Sequence, residues 1–185
     1  MKTIVFFLEE PSAREMLAGV LPRMLPENIN IRYIIFQGKQ DLEKNLKSKL
    51  LGWRAPDSCF VVIRDQDSGD CKTIKTKLVQ LCEEAYKEKV LVRIACRELE
   101  SFFLGDLAAV EKGLGLKGIK TQQRRKYFRN PDAIVHPADE LFRLTGNLYD
   151  KVSGSRAIAP HLDLKSNCSK SFNILLSGIN NLIEV

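Results

Sequence analysis

Long hydrophobic runs are missing from this sequence. No apolar stretch approaches the roughly 18 residues of a membrane-spanning helix, so no membrane association is expected. Between Lys2 and Glu9 stand six apolar or small residues, too few for a signal-peptide core, and no small-residue cleavage site follows. Cysteine is sparse: Cys59, Cys71, Cys82, Cys96 and Cys168 are odd in number and scattered, with no CxxC. The only histidines are His136 and His161. That excludes a familiar zinc site and argues for a reducing compartment, so a cytoplasmic location is expected. There is also no GxxxxGK[ST] string, so this chain brings no P-loop of its own.

What is present is ordinary globular material. The chain has 185 residues, 44% hydrophobic and 28% charged, enough for one domain whose core needs no staple. Its formal net charge is +6, unevenly placed. Residues 1–119 hold 19 basic against 17 acidic groups, and residues 120–185 hold 10 against 6. The basic excess of the C-terminal third is either a solvated surface or a face for a polyanion.

Hydrophobic patterning alternates. Thr3–Leu8 (TIVFFL), Ile29–Phe36, Cys59–Arg64 (CFVVIR) and Val90–Cys96 read as buried strands. Between them lie amphipathic segments: one opening at Pro11 and Ser12, one over Gln40–Leu51 and one over Thr73–Tyr86. That order predicts right-handed βαβ crossovers and a mostly parallel sheet covered on both faces. Beyond Cys96 the spacing predicts a short helix over Glu98–Leu104, a continuation near Leu107, a helix over Ala138–Leu144 and a last one over Phe172–Ile183. The stretch from Ser153 reads as loop, with helix gained only near Ile158. Residues 1–119 are expected to form the α/β core, and residues 120–185 a basic loop and helical extension packed on it.

In such a sheet, ligands bind beyond the carboxyl ends of the strands. Glu9 and Glu10 follow the first strand, Asp65, Asp67 and Asp70 the third, and Glu98 and Glu100 the fourth. Carboxylates crowded on one rim repel, and their pKa values rise unless a cation intervenes. Hard divalent ions such as Mg²⁺ or Mn²⁺ take oxygen ligands. An acidic rim on a net-basic chain therefore suits metal-assisted phosphoryl transfer. Ser68, Gly69 and Asp70 are better read as strand terminators and a helix cap.

An apolar strand ending in Glu and another ending in Asp-x-Asp resemble the Toprim fold. The first motif here is Phe7-Leu8-Glu9-Glu10-Pro11-Ser12, with Glu10 replacing the usual glycine, and the second is Ile63-Arg64-Asp65-Gln66-Asp67. The strings Arg64–Cys71, Arg97–Asp106 and Gly154–His161 are further similar to a bacterial Toprim-like family often encoded beside AAA-type ATPases, and related to the overcoming-lysogenization-defect and other defence nucleases. The resemblance implies a Toprim-like α/β fold and a Mg²⁺- or Mn²⁺-dependent nuclease acting on DNA or RNA, with phage defence among the implied roles. It implies metal ligands at Glu9, Asp65 and Asp67, with Glu98 and Glu100 beside them. Catalysis would fall to Glu9, Asp65, Asp67 and Glu100. It leaves open one metal or two, a AAA-type ATPase partner and a homo-oligomer.

Other residues carry weaker expectations. His161 follows Pro160 and is a candidate general acid, or simply a surface histidine. Arg124, Arg125, Lys126 and Arg129, interleaved with Tyr127 and Phe128, suit backbone neutralisation and base stacking, or a solvated loop with two core aromatics. Arg156 and Lys165 are candidate nucleic-acid contacts. The rival reading of the whole chain is a non-catalytic Toprim-like subunit of an ATPase complex.

Overall fold

The computed structural model describes residues 2–184. Four strands form one all-parallel sheet: β1 (Thr3–Leu8), β2 (Asn30–Ile35), β3 (Ser58–Asp65) and β4 (Val90–Ala95), in the order β2-β1-β3-β4. Central β1 is wholly buried, which is why its sequence is a continuous apolar run rather than an alternating one. Pairing is in register, with Leu8 opposite Ile35 on one side and Ile63 on the other.

The helices are α1 (Pro11–Val20), α2 (Lys39–Gly52), α3 (Cys71–Glu83), α4 (Glu100–Leu104), α5 (Leu107–Gly113), α6 (Pro137–Leu144), α7 (Lys151–Ile158) and α8 (Lys170–Glu184). Strand periodicity divides the core. Ile4, Phe6, Leu8, Cys59, Val61 and Ile63 face α1 and the C-terminal helices. Val5, Phe7, Phe60 and Val62 face α2 and α3 through Leu42, Leu46, Leu50, Leu78 and Cys82. Phe128, Leu141, Ile158 and Phe172 share the first cluster with α1 and β1, so residues beyond 120 complete one face of the sheet. Among the described residues, no helix is long and apolar enough to cross a membrane.

One expectation fails here. The stretch around Ser153 is helix, not loop: α7 begins at Lys151, with Asp150 accepting the Ser153 N–H at 2.8 Å. Gly154 and Ser155 look like loop residues because the packing leaves no room for larger ones. A Cβ on Gly154 would meet the Tyr149 ring at 2.5 Å, and Ser155 is fully buried.

Helix α7 runs parallel to α1, and three contacts fix the register. Lys151 Nζ lies 3.3 Å from Glu10 Oε2, and Arg156 Nε donates to Glu15 Oε2 at 2.6 Å. Further down, a Cβ on Gly19 would meet that of Ala159 at 2.7 Å. This pairing carries the start of α7 to the carboxyl ends of the strands.

Candidate acidic centre

The order β2-β1-β3-β4 reverses direction between β1 and β3. The chain leaves β1 toward one side, through α1 to β2, and returns through α2 to the other side, at β3. A crevice opens at such a switch point, beyond the strand ends. Glu9 and Asp65 stand there.

Glu9 is buried, and its Oε2 accepts the Asp65 N–H at 3.1 Å. Burial holds its pKa above the ordinary carboxylate range, opposed by that backbone bond and reinforced by the charge of Asp67. Asp65 ends β3 on the face of Ile63 and Val61, so its side chain turns toward α1, α4 and α7. Its pKa is pushed well up, by burial first and then by Glu100, Glu9 and Glu10, while Lys151 pulls the other way. Glu100 opens α4 and is almost fully buried at 1% exposure. Its Oε1 accepts the Tyr149 hydroxyl at 3.0 Å, and its Oε2 has no hydrogen-bond partner. Burial raises its pKa too, with Lys151 as the main opposing charge.

Glu9 has Arg64 Nε 4.0 Å from its Oε2, and the cation set against Asp65 and Glu100 is Lys151. Burial alone would lower its pKa, but Glu100, Glu10 and Asp65 together overcome that and raise it. The ammonium is thus held charged by three carboxylates. Tyr149 and Lys151 were not among the expected site residues. The signal for them was Asp150 three residues ahead of Ser153, a helix cap that places Lys151 at the first helical position.

The remaining expected residues divide. Asp67 lies beside the centre with a left-handed backbone (φ +54°), and Lys39 Nζ reaches its Oδ2 at 2.8 Å. Its N–H donates to the carbonyl of Arg97, also left-handed at φ +61°. Two non-glycine residues in that region cost roughly 1–2 kcal/mol each, and such strain gathers at functional sites. Glu98 turns to α6, where its Oε2 accepts the Ala138 N–H at 2.9 Å; it caps a helix rather than facing Asp65. Asp70 caps α3 through the Thr73 N–H at 2.8 Å. Arg156 is tied to buried Glu15, which Arg14 also pairs, so it clamps α7 to α1. His161 ends the turn after α7, ten residues beyond Lys151 and about 15 Å along the helix direction. It is not brought to the centre. Lys165 is an exposed loop residue, distant in sequence from every rim segment.

Arg124 closes a 3-10 turn over Lys120–Arg124, and Arg125, Lys126 and Arg129 follow it in the loop; all four are exposed, as a polyanion contact requires. Phe128 is not available for stacking: it is 3% exposed and belongs to the core, whereas Tyr127 is 51% exposed.

The donor set is chemically suited to a hard divalent ion. Glu9, Asp65 and Glu100 offer only oxygens, and Glu100 Oε2 is buried and unsatisfied. Among the described residues, however, no three acidic, histidine or cysteine side chains are gathered into a ready ligand group. Lys151 is the charge set against Asp65 and Glu100, and Arg64 Nε lies 4.0 Å from Glu9 Oε2.

Comparison with known proteins agrees with this fold. The family described as "Domain of unknown function (DUF4276)" matches residues 8–180. The chain belongs to that family. The DUF4276 chain is also similar to the solved "C-terminal region of the Burkholderia pseudomallei OLD protein", with a TM-score of 0.59 at 16% identity. The match covers 97% of this chain and 98% of that one. The expected α/β architecture related to the overcoming-lysogenization-defect proteins therefore holds at the level of fold. No curated protein sequence matches the DUF4276 chain.

Proposed function

We propose that this protein is a Mg²⁺- or Mn²⁺-dependent Toprim-like nuclease that hydrolyses phosphodiester bonds in DNA or RNA. The observation that carries the reading is that Asp65, at the switch point of the sheet, is set against Glu9 and Glu100 from two other segments, with its N–H bonded to Glu9. Each is a carboxylate that burial holds at a raised pKa, a cost that a functional role for charge at this place explains.

A bound divalent ion would be held by Glu9, Asp65 and Glu100, with Asp67 at the margin, and would polarise a phosphate oxygen and acidify a water. The chain's own residues supply the rest. The Asp65 N–H fixes the orientation of Glu9, and Tyr149 fixes that of Glu100. Lys151 limits the repulsion between Asp65 and Glu100 and, being partly exposed, would be open to an incoming phosphate. Arg124, Arg125, Lys126 and Arg129 would neutralise the backbone away from the cut.

A second reading has its own observation. The ammonium of Lys151 already serves three carboxylates, and no preformed ligand group is present among the described residues. A Toprim-like subunit of a AAA-type ATPase complex, with the acidic centre serving shape alone, accommodates both facts.

One experiment separates the two. Mn²⁺ binding is measured by calorimetry, and plasmid, single-stranded and duplex DNA and RNA are incubated with the protein and Mg²⁺ or Mn²⁺. Binding and cleavage, both lost in Asp65→Ala, establish the nuclease. A folded wild-type protein that neither binds Mn²⁺ nor cuts any substrate overturns it and leaves the subunit reading.

A further inference from the structure

The nucleic-acid reading leaves open what kind of strand the basic loop engages. A cleft of about 440 Å³ lies between that loop and α6, lined among others by Arg125, Tyr127, Glu140 and Arg143. Its size is in the range of ligand clefts.

Tyr127 is its organising residue. The ring is held from two sides: its hydroxyl donates to Glu140 Oε2 at 3.4 Å, and it meets Phe128 edge-on with centroids 5.0 Å apart. Phe128 is itself fixed in the core, and Gln123 Nε2 donates to its carbonyl at 2.6 Å. Half the surface of Tyr127 nevertheless stays exposed in the cleft. Arg143 is anchored at 2.6 Å to the same Glu140 oxygen that Tyr127 reaches, with 76% of its side chain exposed. Of the exposed cations in this segment, Arg125 lines the cleft, and Arg124, Lys126 and Arg129 are its neighbours in sequence.

An aromatic ring fixed in place, open to solvent and sharing its cleft with the guanidinium groups of Arg125 and Arg143 is chemistry for a nucleobase with its phosphate. Stacking on a preorganised ring costs little conformational entropy, and the cations answer the backbone. A base inside an intact duplex offers no face to stack upon. We propose that this cleft is a subsite for an unpaired nucleobase, so that the strand engaged is single-stranded or locally opened. The proposal rests on the nucleic-acid part of the function proposed above. Helix α6 links the two places, since its first turn is capped by Glu98, two residues before Glu100.

The test uses the full chain at low salt without divalent ion, and fluorescence anisotropy with a 12-mer supplied as single-stranded DNA, single-stranded RNA, abasic DNA and blunt duplex. Tyr127→Ala should weaken single-strand binding about five-fold or more, while Tyr127→Phe, which keeps the ring, should stay near wild type. Duplex and abasic binding should be indifferent to either change. A 2-aminopurine placed in the 12-mer should be quenched by the wild type and not by Tyr127→Ala. If Tyr127→Ala, shown folded by its thermal melt, binds single strands as tightly as wild type, the subsite is overturned while the basic interface survives. If the wild type binds neither single strands nor duplex, the nucleic-acid reading itself is overturned, and the subsite with it.

Discussion

Removing the charge of Asp65 should make the folded protein more stable at alkaline pH and leave it nearly unchanged in acid. Burial, then Glu100, Glu9 and Glu10, disfavour the charged form, and Lys151 offsets only part of this. The folded state therefore binds a proton at Asp65 more tightly than the unfolded chain does. The sign follows from linkage: this group's stabilisation is fully present below the unfolded value of about 3.9 and is lost as pH rises through the raised folded value. At pH 8 the carboxylate costs about 1.4 kcal/mol for each unit of displacement. Asp65→Asn keeps the shape, removes that cost and relieves the repulsion on Glu9 and Glu100. We expect a gain of about 1–2 kcal/mol at pH 8, the size seen when functional strain is released, or about 2–8 °C in Tm for a chain of this length. Thermal melts by circular dichroism in EDTA, at pH 8 and pH 4, measure it. The ion pairs of Glu15, whose pKa Arg156 holds down, weaken in acid in both proteins and cancel from the difference. A variant that melts lower at pH 8, or one whose advantage is the same at both pH values, would refute the reasoning.

Tyr149→Phe leaves the second oxygen of buried Glu100 without a partner and should cost about 1–3 kcal/mol in urea unfolding; an unchanged midpoint would mean that the hydroxyl is not satisfying that carboxylate. Lys151→Met removes the shared cation of Glu10, Glu100 and Asp65. Because the side chain is partly exposed, we expect a loss of about 1–2 kcal/mol at pH 8, shrinking at pH 4 as the carboxylates protonate, read from paired thermal melts. Replacing Arg124, Arg125 and Arg129 with Gln should flatten the slope of log affinity against log salt by about 2–3; an equal slope would exclude phosphate contacts there. Gly113→Ala would drive a Cβ to 2.6 Å from the Ala157 carbonyl oxygen and should destabilise by about 1–3 kcal/mol, a loss that chemical denaturation would detect.

The sheet was legible because burial on both faces removes alternation and leaves runs such as Thr3–Leu8, whose expected limits match β1. Strand ends were legible for the same reason: Glu9 and Asp65 are the first charges that an apolar run meets on leaving the core, apart from Arg64. That arginine reads as part of a strand, yet it is buried and reaches Glu43 of α2 at 3.3 Å. Which carboxylates share a place was harder to read. Glu98 and Glu100 are two residues apart, and only the backbone decides between them. Leu99 is already helical in its angles and Glu100 opens α4, so the two side chains diverge, one to the α6 cap and the other to Tyr149.

The aromatic pair Tyr127 and Phe128 and the segment Lys151–Ile158 exposed a different limit. Composition sees small polar residues in Ser153-Gly154-Ser155 and infers a loop. It cannot see that α7 lies against α1 and the Tyr149 ring, where a larger residue has no room. Yet the demand for such an element was implicit in the rim. Largely buried carboxylates at one switch point require positive charge from somewhere, and among the described residues up to 119 the cations paired with the rim are Lys39, already committed to Asp67, and Arg64, shared between Glu9 and Glu43. The remaining cation had to come from the C-terminal third. It comes from the first turn of the helix that composition read as loop, which ties the extension to the chemistry of the core rather than to its packing alone.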